Sequence, residues 1–315
     1  MKMNMIAVDS LTVKYGELIA VDGVSFNVME QEIFGIVGPN GAGKTSTVEC
    51  IEGLRRAYRG KVSVMGLDPW KERQKLYGVM GVQLQDTAYQ DRVRVWELCD
   101  LFSSLYRDPV PYGELLEIMN LTDKKRAYVA NLSGGQRQKL SIVLALIPNP
   151  RVVFLDELTT GLDPHARRQM WDLLLQLKER GLTIVLVSHY MDEVEAVCDR
   201  VAIMNRGRII SMGTINEVVN SFNLKTEISF SASLHNIGDI EGLTGVVSIA
   251  RIRDTIKVCG HGDECVAAVL QYLNDNRIAY TNLAVKPPDL EAVFLNLSGY
   301  DPAKDGDAAN GGGRG

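Results

Sequence analysis

Residues 33–45 read IFGIVGPNGAGKT, an apolar run followed by a glycine-rich loop. The loop fits the pattern GxxxxGK followed by Ser or Thr, which binds phosphate groups when a strand precedes it and a helix follows it. Both neighbours are predicted here, because Ile33–Val37 is continuously apolar and Val48, Ile51 and Leu54 recur at helical spacing. The stretch therefore predicts the strand, loop and helix of an α/β nucleotide-binding core.

The chemistry of this loop follows from its residue types. Glycines allow backbone N–H groups to converge on phosphate oxygens without interference from a Cβ. Lys44 is expected to reach the β- and γ-phosphates, and the Thr45 hydroxyl is expected to ligate Mg²⁺. The predicted phosphate-binding residues are Gly38, Pro39, Asn40, Gly41, Ala42, Gly43, Lys44, Thr45 and Ser46.

A second anion-binding feature lies in residues 132–136, which read LSGGQ. The Ser-Gly-Gly turn at the predicted start of a helix exposes backbone N–H groups, where anions bind. Further along, residues 151–155 read RVVFL, which is apolar after Arg151, and are followed by Asp156 and Glu157, a pair of carboxylates suited to metal–nucleotide chemistry. The chain thus carries an anion-binding helix start that its own loop does not need, which suggests that two copies meet around shared nucleotide.

In order and spacing these motifs resemble the ATP-binding subunit of an ABC transporter, over about residues 6–219. The resemblance implies a P-loop NTPase core of the RecA-like kind, with an inserted helical subdomain and an N-terminal antiparallel β part. It also implies ATP and Mg²⁺ as ligands and ATP hydrolysis driven by the closure of two subunits. In such a dimer Ser133, Gly134, Gly135 and Gln136 of one subunit face the nucleotide of the other.

The resemblance assigns roles to single side chains. Tyr15 is similar to the family's aromatic residue that stacks on adenine. Asp156 is expected to hold Mg²⁺, and Glu157 is expected to polarise the attacking water as general base. His189 follows the apolar run Leu182–Val187 and resembles the histidine that contacts the γ-phosphate.

Other positions carry an alternative or a departure. Gln85 resembles the glutamine that contacts Mg²⁺ and the attacking water, although Gln83 lies on the same strand face and the assignment rests on family register. Leu158 stands where the family usually has Pro, so the turn after the general base lacks a residue of fixed φ. Asp163, followed by Pro164, has the pattern of a helix N-cap, and the resemblance adds a role in the loop that crosses the dimer interface.

Patterns along the chain predict two domains and a tail. Residues 1–221 are predicted to form the ATP-binding domain, with a helical subdomain at about 86–147. Residues 222–300 contain short strand and helix patterns and are predicted to form a small α+β domain. The tail at 301–315 is rich in Gly and Ala and is predicted to be disordered.

Composition constrains the partners. The 315 residues carry a net charge of −5 at pH 7, which argues against nucleic acid as a partner. No apolar run approaches the ~18 residues of a membrane span, so the chain itself is not expected to cross a membrane. Five scattered cysteines suit a reducing cytoplasm, and Cys259, His261 and Cys265 lack the paired spacing that favours a metal site. The basic cluster at 55–61 is interpreted as a solvated surface.

The last predicted helix narrows the resemblance. Residues 288–295 read PDLEAVFL, similar to the ending of exporter ATPases of the drug-resistance (daunorubicin-type) branch, which pair with a type-2 permease. The expected function is ATP hydrolysis at the cytoplasmic face of the membrane, energising export of drugs, lipids or other amphipathic compounds. The expected partners are an integral membrane permease and a second ATP-binding subunit, identical or related. The alternatives are an importer ATPase subunit and a soluble, non-transport ABC ATPase.

Overall fold

A computed structural model of the chain describes residues 3–83, 92–232 and 240–298. The predicted tail at 301–315 lies outside these residues. Each compact unit of the described chain has its own β-strands and its own buried apolar cluster.

The two compact units are Met1–Ile215 and Asn216–Gly315. The division lies a few residues before the boundary predicted at 221. A short helix accounts for the difference, because its buried residues Val218 and Val219 belong to the second unit. Local capping and turn signals show where such a helix begins, but not which unit it joins.

The first unit contains nine strands in two sheets. In chain order they are β1 (Asn4–Tyr15), β2 (Leu18–Met29), β3 (Ile33–Val37), β4 (Arg59–Val64), β5 (Met80–Gln83), β6 (Val152–Asp156), β7 (Thr183–Ser188), β8 (Arg200–Asn205) and β9 (Arg208–Gly213). Strand β1 pairs with β2 and β4 in an antiparallel sheet. The other six strands follow the order β5-β6-β7-β3-β8-β9, parallel except for β9. The predicted P-loop NTPase core and N-terminal antiparallel part are confirmed.

The described chain up to residue 221 contains eight α-helices, and the last of them, apart from its first residue, belongs to the second unit. They are α1 (Lys44–Ile51), α2 (Arg73–Leu76), α3 (Val95–Ser104), α4 (Tyr112–Ile118), α5 (Gly134–Leu146), α6 (Pro164–Glu179), α7 (Met191–Val197) and α8 (Ile215–Ser221). Helices α3, α4 and α5 fall within 86–147, where a helical subdomain is predicted. Within the described ranges, no helix combines the length and the apolarity that crossing a membrane requires.

The centre of the parallel sheet is buried on both faces. Every residue of β3 and β7 is buried, as is every residue of β6 except the half-buried Asp156. Continuous apolar sequence suits strands covered on both faces, as parallel strands usually are. In the ladder Val37 pairs with Ser188 and Asp156 pairs with Val187. The segments that follow β3, β6 and β7 therefore leave the sheet from the same edge.

The second unit is an antiparallel sheet with helices, and it agrees with the predicted α+β arrangement. Its further elements are β10 (Thr226–Ala232), β11 (Val246–Ile252), β12 (Thr255–Gly260), α9 (Gly262–Asp275), β13 (Tyr280–Lys286) and α10 (Leu290–Ser298). The strand order is β11-β12-β10-β13. Phe230, Val258, Val269 and Leu273 belong to the buried cluster between sheet and helix.

The assigned core of the first unit is tested by a matched pair of leucines. Leu174 on α6 is 0% exposed, so Leu174→Ala is expected to lower the free energy of unfolding by about 2–5 kcal/mol, through lost burial and the cavity left behind. Leu101 on α3 is 56% exposed, so Leu101→Ala is expected to change it by no more than about 0.5 kcal/mol. Urea unfolding followed by circular dichroism measures both, and equal losses would contradict the assigned core.

Candidate functional site

The glycine-rich loop between β3 and α1 lies in close contact with neighbouring backbone. A Cβ on Gly38 would lie 2.2 Å from the Met204 carbonyl oxygen, and one on Gly43 would lie 2.5 Å from that of Ala20. Gly43 also adopts a φ of +97° directly before the first residue of α1. Glycine at these two positions lets the loop pack against β2 and β8. The N-terminus of α1, which follows the loop, is the kind of helix end that binds anions.

Lys44 lies inside the curve of this loop. Its Nζ donates hydrogen bonds to the carbonyl oxygens of Gly38 at 2.8 Å and Pro39 at 3.2 Å. Burial lowers the pKa of the Lys44 ammonium, while the nearby carboxylates of Glu157 and Asp156 act in the opposite direction. A buried cation beside two carboxylates makes a strongly polar centre of the kind that phosphate and metal binding require.

A cleft of about 740 Å³ opens over the loop. Its lining combines the loop, the two carboxylates and residues from the β1–β2 turn and the β8–β9 turn. The polar side chains in this lining are Tyr15, Asn40, Lys44, Thr45, Ser46, Asp156, Glu157 and Arg206. Most of the predicted phosphate- and metal-binding residues are thus brought together in one cleft.

Asp156 ends β6 in a half-buried position. Burial and then the charge of Glu157 raise the pKa of Asp156 to about 6, with Lys44 and His189 opposing the shift. A carboxylate held in this way is stabilised by any cation that reaches it. Asp156 therefore suits the metal-binding role that the sequence predicts.

Glu157 has a strained backbone. Its φ is +49°, in the left-handed region that non-glycine residues rarely adopt, and its N–H donates to the Val187 carbonyl oxygen at 2.9 Å. Leu158, which replaces the family's usual Pro, is fully buried. Packing of Leu158, rather than a proline ring, therefore anchors the turn that directs Glu157 into the cleft.

His189 follows β7 and contacts the predicted general base. Its Nδ1 lies 3.2 Å from Glu157 Oε1. Because an ionised carboxylate only accepts hydrogen bonds, the proton in this contact belongs to Nδ1. The imidazole is therefore oriented by the same carboxylate that the sequence predicts to activate water.

Tyr15 lines the cleft, and its contact with Arg55 was not predicted from the sequence. The Tyr15 hydroxyl is 3.0 Å from Ser46 Oγ. The Arg55 guanidinium lies 4.3 Å from the centroid of the Tyr15 ring, and its Nε donates to Glu49 Oε2 at 2.6 Å. Arg55, interpreted from the sequence as part of a solvated surface, is partly exposed and also packs on the Tyr15 ring, because the tertiary fold brings the segment after α1 to the end of β1.

Two glutamines, Gln83 and Gln85, are candidates for the contact with Mg²⁺, and the structure describes only Gln83. Gln85 lies outside the described residues. Gln83 ends β5 and is 4% exposed, and its side-chain oxygen accepts a hydrogen bond from the Asp156 backbone N–H at 3.2 Å. Gln83 therefore supports the backbone of Asp156, the predicted metal ligand, from the neighbouring strand.

The LSGGQ segment forms the start of α5. Ser133 Oγ accepts a hydrogen bond from the Gln136 N–H at 3.3 Å, and Gln136 Oε1 accepts one from the Ser133 N–H at 3.0 Å. This reciprocal capping box holds the Ser-Gly-Gly turn rigid. Among the described residues that line the cleft, none comes from 132–136. The segment is thus a preformed helix N-terminus outside the chain's own nucleotide cleft.

Asp163 caps α6 as the sequence predicts. Its Oδ1 accepts hydrogen bonds from the N–H groups of His165 and Ala166, both at 2.9 Å, and Pro164 occupies the first turn. The Ala166 hydrogen bond is the main cause that lowers the pKa of Asp163. The predicted capping role is confirmed, while the interface role stays a prediction.

Comparison with known proteins agrees with this geometry. The family model described as ABC transporter matches residues 21–160. A daunorubicin resistance ATP-binding protein from Streptomyces coeruleorubidus is 32% identical, over 94% of this chain and 96% of its own length. The Nod factor export ATP-binding protein I of Rhizobium etli is also 32% identical, over 96% of each chain.

A solved structure shows the same fold in the first unit. It is the crystal structure of a nucleotide-free ATP-binding cassette from an ABC transporter, with a TM-score of 0.64 and 26% identity. The match covers 69% of this chain and 96% of that one.

The chain belongs to the family of ABC transporter ATP-binding proteins. The resemblance to the drug-resistance branch is confirmed, because ATP-binding proteins of drug resistance and export match nearly the whole chain. Proteins of this family bind nucleotide and are ATPases coupled to transport.

The close approach of the loop to β2 is tested by two glycines of the same loop. Gly43→Ala and Gly41→Ala both place a side chain at positive φ, which costs about 1–2 kcal/mol. Only Gly43→Ala also forces a Cβ against the Ala20 carbonyl, while a Cβ on Gly41 meets nothing within 4 Å. We expect Gly43→Ala to lower the free energy of unfolding by a further ~1–3 kcal/mol. Chemical denaturation of both variants measures this, and equal losses would show that β2 does not constrain the loop.

Proposed function

We propose that the chain hydrolyses ATP bound with Mg²⁺ at a site completed by a second copy of itself, and that hydrolysis energises export through a separate membrane permease. The observation that carries this proposal is the convergence of Lys44, Asp156, Glu157 and His189 at one edge of the parallel sheet. These side chains supply a phosphate contact, a metal ligand, a base and its hydrogen-bonding partner.

The cleft suits a nucleotide triphosphate along its whole length. At one end the Tyr15 ring offers a flat surface for adenine, while Arg55 packs against the ring and holds its position. At the other end, the loop before α1 presents backbone N–H groups and Lys44 to phosphate oxygens. The two ends are connected by the contact between the Tyr15 hydroxyl and the hydroxyl of Ser46, which directly follows the loop residues.

The donor set for Mg²⁺ consists of oxygen ligands, as this ion prefers. The Thr45 hydroxyl and the Asp156 carboxylate would hold the ion together with phosphate oxygens, and the resemblance adds the side-chain oxygen of Gln85. The raised pKa of Asp156 fits this role, because a half-buried carboxylate beside Glu157 calls for an added positive charge. When bound, the ion would neutralise charge on the transferred phosphoryl group.

Glu157 is placed to accept a proton from the attacking water. It directly follows Asp156, so it stands beside the position where the terminal phosphate would lie. Its carboxylate oxygen Oε1 accepts from His189 Nδ1, which orients both side chains. A carboxylate held in this way can polarise a water for attack on phosphorus while His189 approaches the terminal phosphate.

A second copy of the chain is chemically sufficient to complete the site. The N-terminus of α5 at Ser133 is a rigid anion-binding feature with no place in the lining of its own cleft. The terminal phosphate held by the Lys44 loop of another copy supplies the anion that this helix end suits. Each copy carries both halves, so two copies facing each other bury two nucleotides.

Export is the transport direction that the relatives favour. The matching proteins are named for daunorubicin resistance and for Nod factor export, and each matches over almost its full length, including the second unit. This chain would then act at the cytoplasmic face of the membrane, and an integral permease would bind the cargo, with drugs, lipids or other amphipathic compounds as the expected class. These names favour an exporter over an importer or a soluble ATPase.

Replacement of the proposed base separates binding from hydrolysis. Glu157→Gln keeps the shape of the side chain but accepts a proton far less readily, so we expect ATP binding to persist while kcat falls by about 10²–10⁴-fold. The variant is also expected to accumulate an ATP-bound dimer, visible by light scattering. Glu179→Gln, which changes an exposed carboxylate at the end of α6, serves as the matched control. Wild-type turnover in Glu157→Gln would rule out this base.

A further inference from the structure

Glu193 is a buried carboxylate that the proposed mechanism does not use. It lies on α7 and is 0% exposed. The Ser188 hydroxyl donates a hydrogen bond of 2.5 Å to Glu193 Oε2, and the same hydroxyl oxygen accepts from the Tyr190 N–H at 3.1 Å. An ionisable group is costly to bury, so this carboxylate calls for an explanation beyond packing.

A second hydroxyl approaches the same carboxylate from another segment. Thr159 is 0% exposed, and its hydroxyl is close enough to Glu193 to lower the pKa of that carboxyl. Within the described ranges, neither Thr159 Oγ1 nor Glu193 Oε1 has a hydrogen-bond partner of good geometry. The Thr159 hydroxyl can donate and Glu193 Oε1 can accept, so the two groups are chemically complementary neighbours.

The two hydroxyls belong to the segments that carry the catalytic groups. Ser188 immediately precedes His189, and Thr159 lies two residues after Glu157. On the cleft side the same segments meet through the contact between His189 and Glu157. Glu193 therefore contacts both segments and does not belong to the cleft lining among the described residues.

Two charged side chains, on helices α6 and α7, act on the Glu193 carboxyl within the described residues. Arg167 on α6 favours its ionised form, and Asp192 on α7 opposes it. These two also pair with each other, since Arg167 Nη1 lies 2.9 Å from Asp192 Oδ2. The Cys198 thiol lies nearby, and burial keeps its pKa well above the usual range, so it stays neutral. Burial raises the pKa of Glu193 itself, with the Ser188 and Thr159 hydroxyls acting in the opposite direction.

We propose that Glu193 is a positioning residue for hydrolysis, binding the hydroxyls of Ser188 and Thr159 so that His189 and Glu157 keep their mutual geometry. An ionised carboxylate can accept one hydrogen bond on each oxygen, so it can bind both hydroxyls at once. An amide has an oxygen that accepts but an NH₂ group that only donates. The inference rests on the proposed function, because it assigns to Glu193 the alignment of the groups proposed to act on ATP.

The first test replaces the carboxylate with an amide of the same shape. In Glu193→Gln we expect kcat to fall about tenfold, since small misplacements of catalytic groups carry losses of this order or larger. KM for ATP should stay near the wild-type value, because Tyr15 and the Lys44 loop are not altered. The control is Glu195→Gln, an exposed glutamate on the same helix, which should retain wild-type kcat. Wild-type kcat in Glu193→Gln would overturn the proposal.

A pH profile distinguishes positioning by the charged group from a loss of packing. The folded-state pKa of Glu193 is raised, so lowering the pH protonates the wild-type residue and makes it uncharged like glutamine. The ratio of wild-type kcat to Glu193→Gln kcat should therefore fall towards 1 as the pH is lowered. Titration of Asp156 affects both proteins equally and cancels in this ratio. A ratio that is constant with pH would contradict a role for the charge.

A smaller set of variants covers the case in which Glu193→Gln folds poorly. Ser188→Ala and Thr159→Val each remove one hydroxyl, and we expect each to lower kcat with KM for ATP close to wild type. The melting temperature should fall moderately, because a buried carboxylate loses a donor, while the chain stays folded. Because the three residues act as a unit, Ser188→Ala added to Thr159→Val should cost less than the product of the single effects. Wild-type kcat in both single variants would also overturn the proposal. Failure of the wild-type chain to hydrolyse ATP would instead reject the proposed function.

Discussion

The register of three parallel strands is the constraint on which the rest of the site depends. Strands β6, β7 and β3 are adjacent, and their ladder pairs Asp156 with Val187 and Val37 with Ser188. The phosphate loop, the carboxylate pair and His189 follow directly after these paired positions. A shift of one residue in either pairing would turn the side chains at the strand ends to the opposite face of the sheet. Burial on both faces and the observed ladder of these strands thus set the relative positions of the groups proposed to be catalytic.

Charge balance within the cleft explains why the site is suited to a metal-bound polyanion. Two carboxylates and one ammonium lie close together in partly buried positions, and burial disfavours the charged form of Lys44 and of Asp156. Within the described residues, Lys44 donates to uncharged loop carbonyls, and Asp156 stands beside another acid. A nucleotide with Mg²⁺ would supply negative charge to the lysine and positive charge to the carboxylates. The protein therefore holds the groups in an arrangement that its ligand completes.

Local sequence predicted the parts of the site whose geometry is local. The phosphate loop, the Asp163 cap and the strand that ends in Asp156 are each encoded within a few residues, so spacing and residue type were sufficient. Contacts between distant segments were not predictable in this way. Arg55 reaches Tyr15 only because α1 and β1 pack together, and Glu193 reaches Thr159 only because α7 lies behind the turn after β6. The boundary between the compact units lies before α8 rather than after it for a related reason, since the burial of Val218 depends on tertiary packing.

The central claim is that one nucleotide is held between the loop of one copy and the LSGGQ segment of another. Two variants of the full chain, Lys44→Ala and Ser133→Arg, disable the two halves separately, because one removes the phosphate contact and the other blocks the start of α5. Co-expressed, they form mixed pairs in which the loop of the Ser133→Arg copy meets the intact segment of the Lys44→Ala copy. The measurement is the ATPase rate of each variant alone and of the co-expressed mixture. The account predicts background rates for each alone and clear hydrolysis by the mixture. A mixture as inactive as its two components would contradict a site shared between copies.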